Sequence, residues 1–131
     1  DNDYTREEMK MVWETQKILD KSIKVNPTAV RVPVLVGHAE SIYIETKKDI
    51  NIDIAKEVLR NFNGIKLIDD TESIDFPTPF EHGHGTDDVY VGRIRKGLDK
   101  NNTLNLWVVA DNVRKGAALN SIQIAEYLTR S

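Results

Sequence analysis

Two side chains with chemical potential lie in one β-like run, residues 30–45. Arg31 carries a fixed positive charge, and His38 carries an imidazole that can gain or lose a proton near neutral pH. Burial of either group without a partner would be costly. The pair could therefore serve one binding cleft. The alternative, which the pattern leaves open, is an arginine at the rim of the fold and a histidine in a turn.

The alternation in this run predicts a half-buried strand. Its valines occupy every second position and would face inward, so Arg31 would face outward. An ideal strand would place His38 on the face opposite Arg31. Pro33 cannot donate to a sheet ladder and Gly37 tolerates unusual backbone angles, so we expect a bend between them that could bring Arg31 and His38 to one cleft. The inward residues would be Val30, Val32, Val34 and Val36.

A second set of charged side chains repeats along a predicted amphipathic helix. Thr5 and Glu8 fit a capping box at its start, and the helix should continue to about Leu19. Exposed pairs at helical spacing contribute little to stability, so the default interpretation is a solvated face, and the alternative is a ligand site. The charged residues are Glu7, Lys10, Glu14 and Lys17.

The least regular part of the chain is the stretch from Asp69 to Asp87. It contains His82-Gly83-His84-Gly85, and two histidines two residues apart can bind a metal ion. No third or fourth ligand follows at a convincing spacing, so we expect a solvent-exposed loop and no metal site. The glycines follow no predicted strand and open no predicted helix, so they are not a nucleotide-binding fingerprint.

Composition limits the class of protein. The chain has 131 residues, of which 40% are hydrophobic and 30% charged, and this is typical of one globular domain. A net charge of -3 gives no indication of a nucleic-acid or membrane partner. Because cysteine is absent, the chain has no disulfide and no cysteine nucleophile. Without an apolar run long enough for a membrane helix or a signal peptide, we expect a cytoplasmic protein. The chain opens with Asp rather than Met, which fits a piece of a longer protein.

Further elements are predicted after the first run. A second strand should extend to about Lys47, and a helix should begin after Asn51 and end at Asn63-Gly64. A short strand at 65–68 would complete a strand–helix–strand unit with parallel pairing. Residues 89–96 alternate, which places Val89, Val91 and Arg93 on one face and Tyr90, Gly92 and Ile94 on the other.

Residues 104–110 are predicted to return antiparallel to that strand. Apolar residues on both faces of this segment indicate a central position in the sheet. Asp111-Asn112 should cap a final helix at about 112–129. The fold class is therefore α+β, a mixed β-sheet covered by helices in a single domain over 1–131. The inward residues of the last helix would be Val113, Ala117, Ala118, Ile122, Ala125 and Leu128.

Several of these runs, in this order, resemble the aspartate-semialdehyde dehydrogenase family, and its bacterial branch most. The resemblance spans essentially the whole chain. It implies the fold of the C-terminal domain of glyceraldehyde-3-phosphate dehydrogenase-like enzymes. The matching runs are Tyr4–Met11, Glu14-Thr15, Lys17–Leu19, Val30–Val34, Gly37–Ser41, Asp88–Arg95 and Leu104–Asn112, followed by Arg114–Asn120.

The resemblance implies roles for five residues. His38 would be the acid/base residue, since an imidazole titrates near working pH, and Arg31 would hold the substrate's α-carboxylate with its planar fork. Glu7 would face the substrate's amino group and Lys10 its phosphate, from one helical face. Asn112 would contact the nicotinamide end of NADPH. Members of the family reduce β-aspartyl phosphate with NADPH to aspartate semialdehyde and phosphate, on the route to lysine, threonine, methionine and isoleucine.

The family's nucleophilic cysteine and its Rossmann glycine fingerprint lie upstream in full-length members, and this chain contains neither. The resemblance therefore implies a C-terminal substrate-binding and dimerisation domain, inactive alone, with NADP bound mostly by another domain. It also implies that the last helix packs on that cofactor domain and that a homodimer forms through the sheet. Candidate dimer contacts are Val34, Leu35, Trp107 and Val109.

Two interpretations from other classes stay open at this point. One is a regulatory module that binds an amino acid and dimerises without chemistry, but it does not explain Glu7 and Lys10 on the capped helix. The other is a structural domain or pseudo-enzyme that has lost its catalytic half. A cysteine encoded upstream in a longer parent gene would favour the enzyme over both.

Overall fold

The computed structural model describes residues 2–70, 72 and 75–130. The chain divides into two compact units, Asp1–Pro33 and Val34–Ser131. Of the predicted irregular stretch at 69–87, residues 71, 73 and 74 lie outside the described part. No helix among the described residues has the length and apolar character needed to cross a membrane.

The first unit is built on helix α1, Arg6–Ile18, which confirms the predicted amphipathic helix. Thr5 is its N-cap, and both hydrogen bonds of the predicted capping box are present. Glu8 is buried and also ties a distant part of the unit, because its Oε1 accepts the backbone N–H of Ala29 at 2.9 Å. The capping carboxylate thus fastens the connector that follows the helix.

The run at 30–36 is not a strand, and the prediction of a half-buried strand there is wrong. Its valines at 30, 32 and 34 are exposed rather than inward-facing. Alternation describes side chains that suit a pleated surface, but a strand also needs a neighbouring strand to accept its backbone hydrogen bonds. No strand of the sheet in the described part of the chain pairs with this run.

The second unit contains a four-stranded mixed sheet in the order β1-β4-β3-β2. The strands are β1 His38–Glu45, β2 Ile65–Leu67, β3 Val89–Lys96 and β4 Thr103–Ala110. β4 pairs antiparallel with both β1 and β3, and β2 pairs parallel with β3. This confirms the α+β class, the mixed sheet and the central position of β4.

Helix α2, Ile52–Asn61, joins β1 to β2 and begins as predicted, with Asn51 accepting the N–H groups of Asp53 and Ile54. Gly64 ends the connection in a left-handed conformation with φ of 83°. β1 and β2 run in the same direction but lie at opposite edges of the sheet, so the predicted parallel pair forms between β2 and β3 instead. The crossover therefore passes two intervening strands.

The core lies between α2 and one face of the sheet. Each strand contributes the side chains that point to that face, and α2 contributes its apolar stripe. Burial of this layer is the main source of the unit's stability. The buried residues of the core are Val91, Ile94, Leu104 and Leu106, with Ile42, Ile44, Ala55, Leu59, Ile65, Leu67, Val89 and Val108 packed against them.

A β-bulge in β3 overturns the strict alternation predicted for 89–96. Gly92 pairs with Trp107 and Arg95 with Asn105, so β3 uses one residue more than β4 over this interval. Arg93 absorbs the irregularity with a φ of 54°. Ile94 therefore turns into the core beside Val91, rather than to the Gly92 face as predicted. A one-residue insertion reverses the face of every residue that follows it.

The opposite face of the sheet is partly covered by the loop between β2 and β3. The indole N–H of Trp107 donates to the carbonyl of Pro77 at 2.8 Å, and Val109 has no exposed surface. Val109 therefore cannot contact a second chain, and its prediction as a dimer contact is wrong. Val34 and Leu35 are exposed.

The last element begins after Asp111. Residues Arg114–Ala118 form a short π-helical stretch that continues into helix α3, Leu119–Arg130. Every residue from 121 to 130 is exposed. The predicted inward residues Val113, Ile122 and Leu128 are thus uncovered in this chain, and Ala117, Ala118 and Ala125 are exposed as well. An amphipathic pattern marks a face that suits burial, and the described residues leave this face exposed.

Candidate functional site

His38 opens strand β1, opposite Ala110 at the end of β4. Its side chain is exposed, so its imidazole is accessible to a ligand. The preceding Gly37 has a φ of 94°, which an L side chain rarely adopts, and this confirms the expected bend before His38. The bend ends the irregular run and starts the strand at the histidine.

Asn112 is attached directly to the backbone before His38. Its Oδ1 accepts the N–H of Gly37 at 3.0 Å. Because the donor is a backbone N–H, the atom facing it must be the amide oxygen, and this settles the orientation of the carboxamide. No partner for the Asn112 amide nitrogen is found among the described residues, so its N–H groups can donate to a ligand. The structure thus links His38 and Asn112, the two predicted site residues of the second unit.

The loop containing His82-Gly83-His84-Gly85 packs against the same backbone. A Cβ placed on Gly37 would lie 2.8 Å from the carbonyl oxygen of Gly83, and a Cβ on Gly83 would lie 2.9 Å from Cα of Pro79 and 3.0 Å from Cγ1 of Val109. Only glycine permits these approaches. Gly83 is buried, so the prediction that the stretch at 82–85 is an exposed loop is wrong at this residue. Gly37, against which Gly83 packs, is buried as well.

The two histidines of this loop have different surroundings. His82 accepts the N–H of Thr78 through Nδ1 at 3.2 Å, and its ring lies 5.1 Å from that of Tyr90. It therefore orders the loop. His84 is exposed. Within the part of the chain that the structure describes, no three His, Cys, Asp or Glu side chains are grouped so that they could hold a metal ion.

Asp111 is a buried carboxylate that joins the loop to the start of the last helix. Its Oδ1 accepts the N–H groups of Val113 and Arg114 at 2.8 and 2.9 Å, and its Oδ2 accepts the N–H of Gly85 at 2.8 Å. The hydrogen bonds from Arg114 and Gly85 hold the pKa of Asp111 below its usual value. The sequence predicts Asp111 only as a helix cap, because its second partner lies 26 residues away.

The predicted site residues of the first unit form exposed ion pairs. Arg31 Nη2 lies 3.3 Å from Glu7 Oε2, and Lys10 Nζ lies 3.7 Å from Glu14 Oε1. All four side chains are more than half exposed, so these pairs contribute little to folding stability. Arg31 and Glu7 are brought together as a cation and an anion in one unit. His38 belongs to the other unit, so a cleft shared with Arg31 stays a prediction.

Comparison with known proteins gives one family. The family model for the semialdehyde dehydrogenase dimerisation domain matches residues 1–115. Curated relatives named aspartate-semialdehyde dehydrogenase are 54% identical in Legionella pneumophila and 56% in Shewanella violacea, each over 99% of this chain. The chain spans 38% of the length of either relative.

A solved structure has the same fold over the whole chain. Aspartate semialdehyde dehydrogenase II of Vibrio cholerae, solved in complex with ASA, is 54% identical, with a TM-score of 0.94. The match covers 100% of this chain and 38% of that one. The fold is thus the α+β architecture of these glyceraldehyde-3-phosphate dehydrogenase-like enzymes. The chain belongs to the family of semialdehyde dehydrogenase dimerisation domains.

Proposed function

We propose that this chain is the C-terminal substrate-binding and dimerisation domain of an aspartate-semialdehyde dehydrogenase. The whole enzyme reduces β-aspartyl phosphate with NADPH to aspartate semialdehyde and phosphate. The observation that carries the proposal is the hydrogen bond between Asn112 and Gly37. It holds a carboxamide against the backbone of Gly37, the residue before His38, in a chain of which 99% matches an enzyme of this name.

The exposed ion pair of the first unit suits an amino-acid substrate. An α-amino acid carries a carboxylate and an ammonium group on one carbon, and Arg31 and Glu7 offer the two complementary charges. Because their mutual pair is solvent-screened, substrate can replace it at little cost. Lys10, one turn along the same helix from Glu7, supplies a cation for the phosphate. Its exposed pair with Glu14 is equally easy to exchange.

His38 would hold and release the proton that the reaction requires. General acid–base catalysis needs an accessible group that can accept and release a proton, and the exposed imidazole of His38 is such a group. The rigid start of β1 fixes the backbone of His38, since Ala110 lies opposite it and Gly37 is clamped before it. The nucleophile would come from another part of the enzyme.

A nicotinamide cofactor would supply the hydride, and Asn112 is the residue of this chain placed to hold it. The fixed amide oxygen of Asn112 leaves its N–H groups to donate, and the carboxamide of nicotinamide offers a carbonyl acceptor. The choice of NADP over NAD, and most of the binding, would depend on the cofactor domain. The exposed residues of α3, including Ile122, Ile124 and Leu128, would pack on that domain.

We also propose that the enzyme is a homodimer formed through the sheet of this domain. The matching family model describes a dimerisation domain, and α2 leaves the opposite face of the sheet available. Ser41 and Tyr43 on β1 stand beside Trp107 and Asn105 on β4 across that face. Tyr43 is an exposed aromatic on the edge strand β1 and is a natural anchor for a partner.

The test uses the full-length protein that contains this chain. Formation of NADPH from aspartate semialdehyde, phosphate and NADP is followed for wild type, His38→Ala and Arg31→Ala. Loss of the acid/base group should lower kcat by about 10²- to 10⁴-fold. Loss of the guanidinium should raise KM for aspartate semialdehyde by about 10- to 100-fold, the effect of removing hydrogen bonds to a charged group.

Two further variants control for unspecific effects. Arg31→Lys keeps the charge but loses the planar fork, so its KM should lie between those of wild type and Arg31→Ala. Lys48→Ala changes an exposed loop residue outside the proposed site and should behave as wild type. A full-length protein without this activity, or His38→Ala with the kcat of wild type, would overturn the proposal and favour a regulatory or structural module.

A further inference from the structure

We propose that Asp111 is a positioning residue for His38 and Asn112, and that it acts through its hydrogen bond to the backbone of Gly85. The inference rests on the proposed function, because the two residues it positions are the proposed acid/base and cofactor-contacting groups. Asp111 itself touches neither substrate nor cofactor. It acts on the backbone that carries those groups.

The two oxygens of Asp111 have separate tasks. Oδ1 accepts the N–H groups of Val113 and Arg114 and so caps the start of the last helical segment. Oδ2 accepts the N–H of Gly85 from the loop between β2 and β3. A helix cap requires only the first oxygen, which asparagine or serine would supply equally well. Burial of a full negative charge at 3% exposure therefore needs a second reason, and the loop contact provides it.

The loop contact closes a ring around the backbone before His38. Asp111 holds Gly85, two residues beyond Gly83. Gly83 packs its carbonyl against Gly37 so closely that a Cβ on Gly37 would lie 2.8 Å from it. Gly37 in turn donates to Asn112, the neighbour of Asp111. Two hydrogen bonds and one backbone packing contact thus clamp Gly37 between the loop and the helix start.

This ring predicts how a disturbance would spread. If Gly85 is released, the loop can withdraw from Gly37, and Gly37 then loses the surface that holds its bend of φ 94°. The hydrogen bond from Gly37 to Asn112 depends on that bend. Both the carboxamide of Asn112 and the first residue of β1 would lose their fixed orientation. The helix cap would remain.

Asp111→Asn separates the two tasks of the carboxylate. Asparagine is as good an N-cap as aspartate, so its oxygen can keep the bonds to Val113 and Arg114. Its NH₂ group cannot accept the N–H of Gly85, so the loop contact is lost. Asp49→Asn makes the same chemical change at an exposed residue and is the matched control. Gly83→Ala pushes the loop away from β4 without touching Asp111 and serves as an independent second variant.

Two readouts are measured on the full-length protein. Amide hydrogen exchange should become faster in Asp111→Asn and Gly83→Ala at Gly85 and also at Gly37, but not in Asp49→Asn. In the enzyme assay, KM for the nicotinamide cofactor should rise on the order of tenfold in Asp111→Asn, as loss of one orienting hydrogen bond would cause. KM for aspartate semialdehyde should stay near the wild-type value. A protein that was merely less stable would lose Vmax with its folded fraction and keep both KM values.

The exchange measurement tests the positioning role separately from the proposed function. The inference would be overturned if a folded variant, either Asp111→Asn or Gly83→Ala, showed faster exchange at Gly85 but wild-type exchange at Gly37. Asp111 would then be a local helix cap. An unchanged KM for the cofactor in an active Asp111→Asn enzyme would also overturn it. A wild-type protein without dehydrogenase activity would refute the proposed function, while the exchange at Gly37 would still decide whether Asp111 controls that backbone.

Discussion

Glu8 illustrates how one side chain can make part of the structure sensitive to acid. Its carboxylate accepts the N–H of Ala29 and the N–H and hydroxyl of Thr5. These donors, that of Ala29 first, favour the charged form and hold the pKa of Glu8 below its usual value of 4.5. Because the pKa is lower in the folded state, the stabilisation is complete above pH 4.5 and is lost as the pH falls through the folded pKa.

Glu8→Gln should therefore lower the free energy of unfolding at neutral pH, and the difference from wild type should vanish in acid. Glutamine presents an NH₂ group where the carboxylate accepts hydrogen bonds, so one backbone donor loses its partner. Urea denaturation at a series of pH values checks this. Glu57→Gln, an exposed glutamate on α2, is the control. A difference between wild type and Glu8→Gln that persisted unchanged into acid would contradict the assignment.

Several elements could be predicted from sequence because local chemistry determines them. The capping box at Thr5 and Glu8, the Asn51 cap and the turn at Gly64 involve residues within a few positions of each other, and all three are confirmed. The central place of β4 also followed from its own two apolar faces. Each of these signals is complete within one short segment.

The failed predictions depended on contacts between distant segments. The valines at 30–36 suit a strand, but no neighbouring strand is present to pair with them in the residues described here. The bulge at Arg93 depends on the register with β4, which alternation within β3 does not encode. The same limit applies to the site, since the tie between Gly37 and Asn112 joins residues 75 positions apart.

Strand β3 approaches the preceding loop so closely at Gly92 that the strand has no room for a side chain at this position. A Cβ on Gly92 would overlap the carbonyl oxygen of Ile68 and would lie 2.7 Å from Cδ of Pro77. Gly92→Ala should lower the free energy of unfolding by about 1–3 kcal/mol, the usual cost of overpacking. Gly116→Ala makes the same substitution without crowding, since the atom nearest to the new Cβ would be 3.7 Å away. Because alanine favours helical backbone over glycine by about 0.5–1 kcal/mol, this variant should not lower the free energy of unfolding.

Chemical denaturation of both variants compares the same substitution in two elements. Gly92→Ala should move the urea midpoint down, and Gly116→Ala should leave it unchanged or move it up. Equal destabilisation by both would mean that steric crowding at Ile68 and Pro77 is not the cause.

At the scale of the whole molecule, exposed apolar surface indicates where other chains would bind. Two of the regions that carry it in the described part of the chain are helix α3 and the sheet face opposite α2, where Tyr43 is exposed. On the sheet face, Tyr43, Asn105 and Arg95 form one row across three strands, next to the row of Ser41, Trp107 and Gly92. The two regions would serve different partners in the proposed enzyme, the cofactor domain and the second subunit.

The proposed homodimer can be tested by one charge placed on that sheet face. Tyr43→Lys replaces an exposed aromatic with a cation, in the same row as Arg95 and separated from it by Asn105. Across a two-fold interface each subunit would bury this cation, and a desolvated unpaired charge costs far more than the contact it replaces. Sedimentation of the full-length protein should therefore show a dimer for wild type and monomers for Tyr43→Lys.

Ile54→Lys is the matched control for this experiment. Ile54 is as exposed as Tyr43, at 60% against 51%, but it lies on α2, which covers the other face of the sheet. It should leave the dimer intact. If both variants dissociate alike, the lysines act through stability rather than through the interface. If wild type is a monomer at high concentration, or Tyr43→Lys stays a folded dimer, the subunits do not associate through this face.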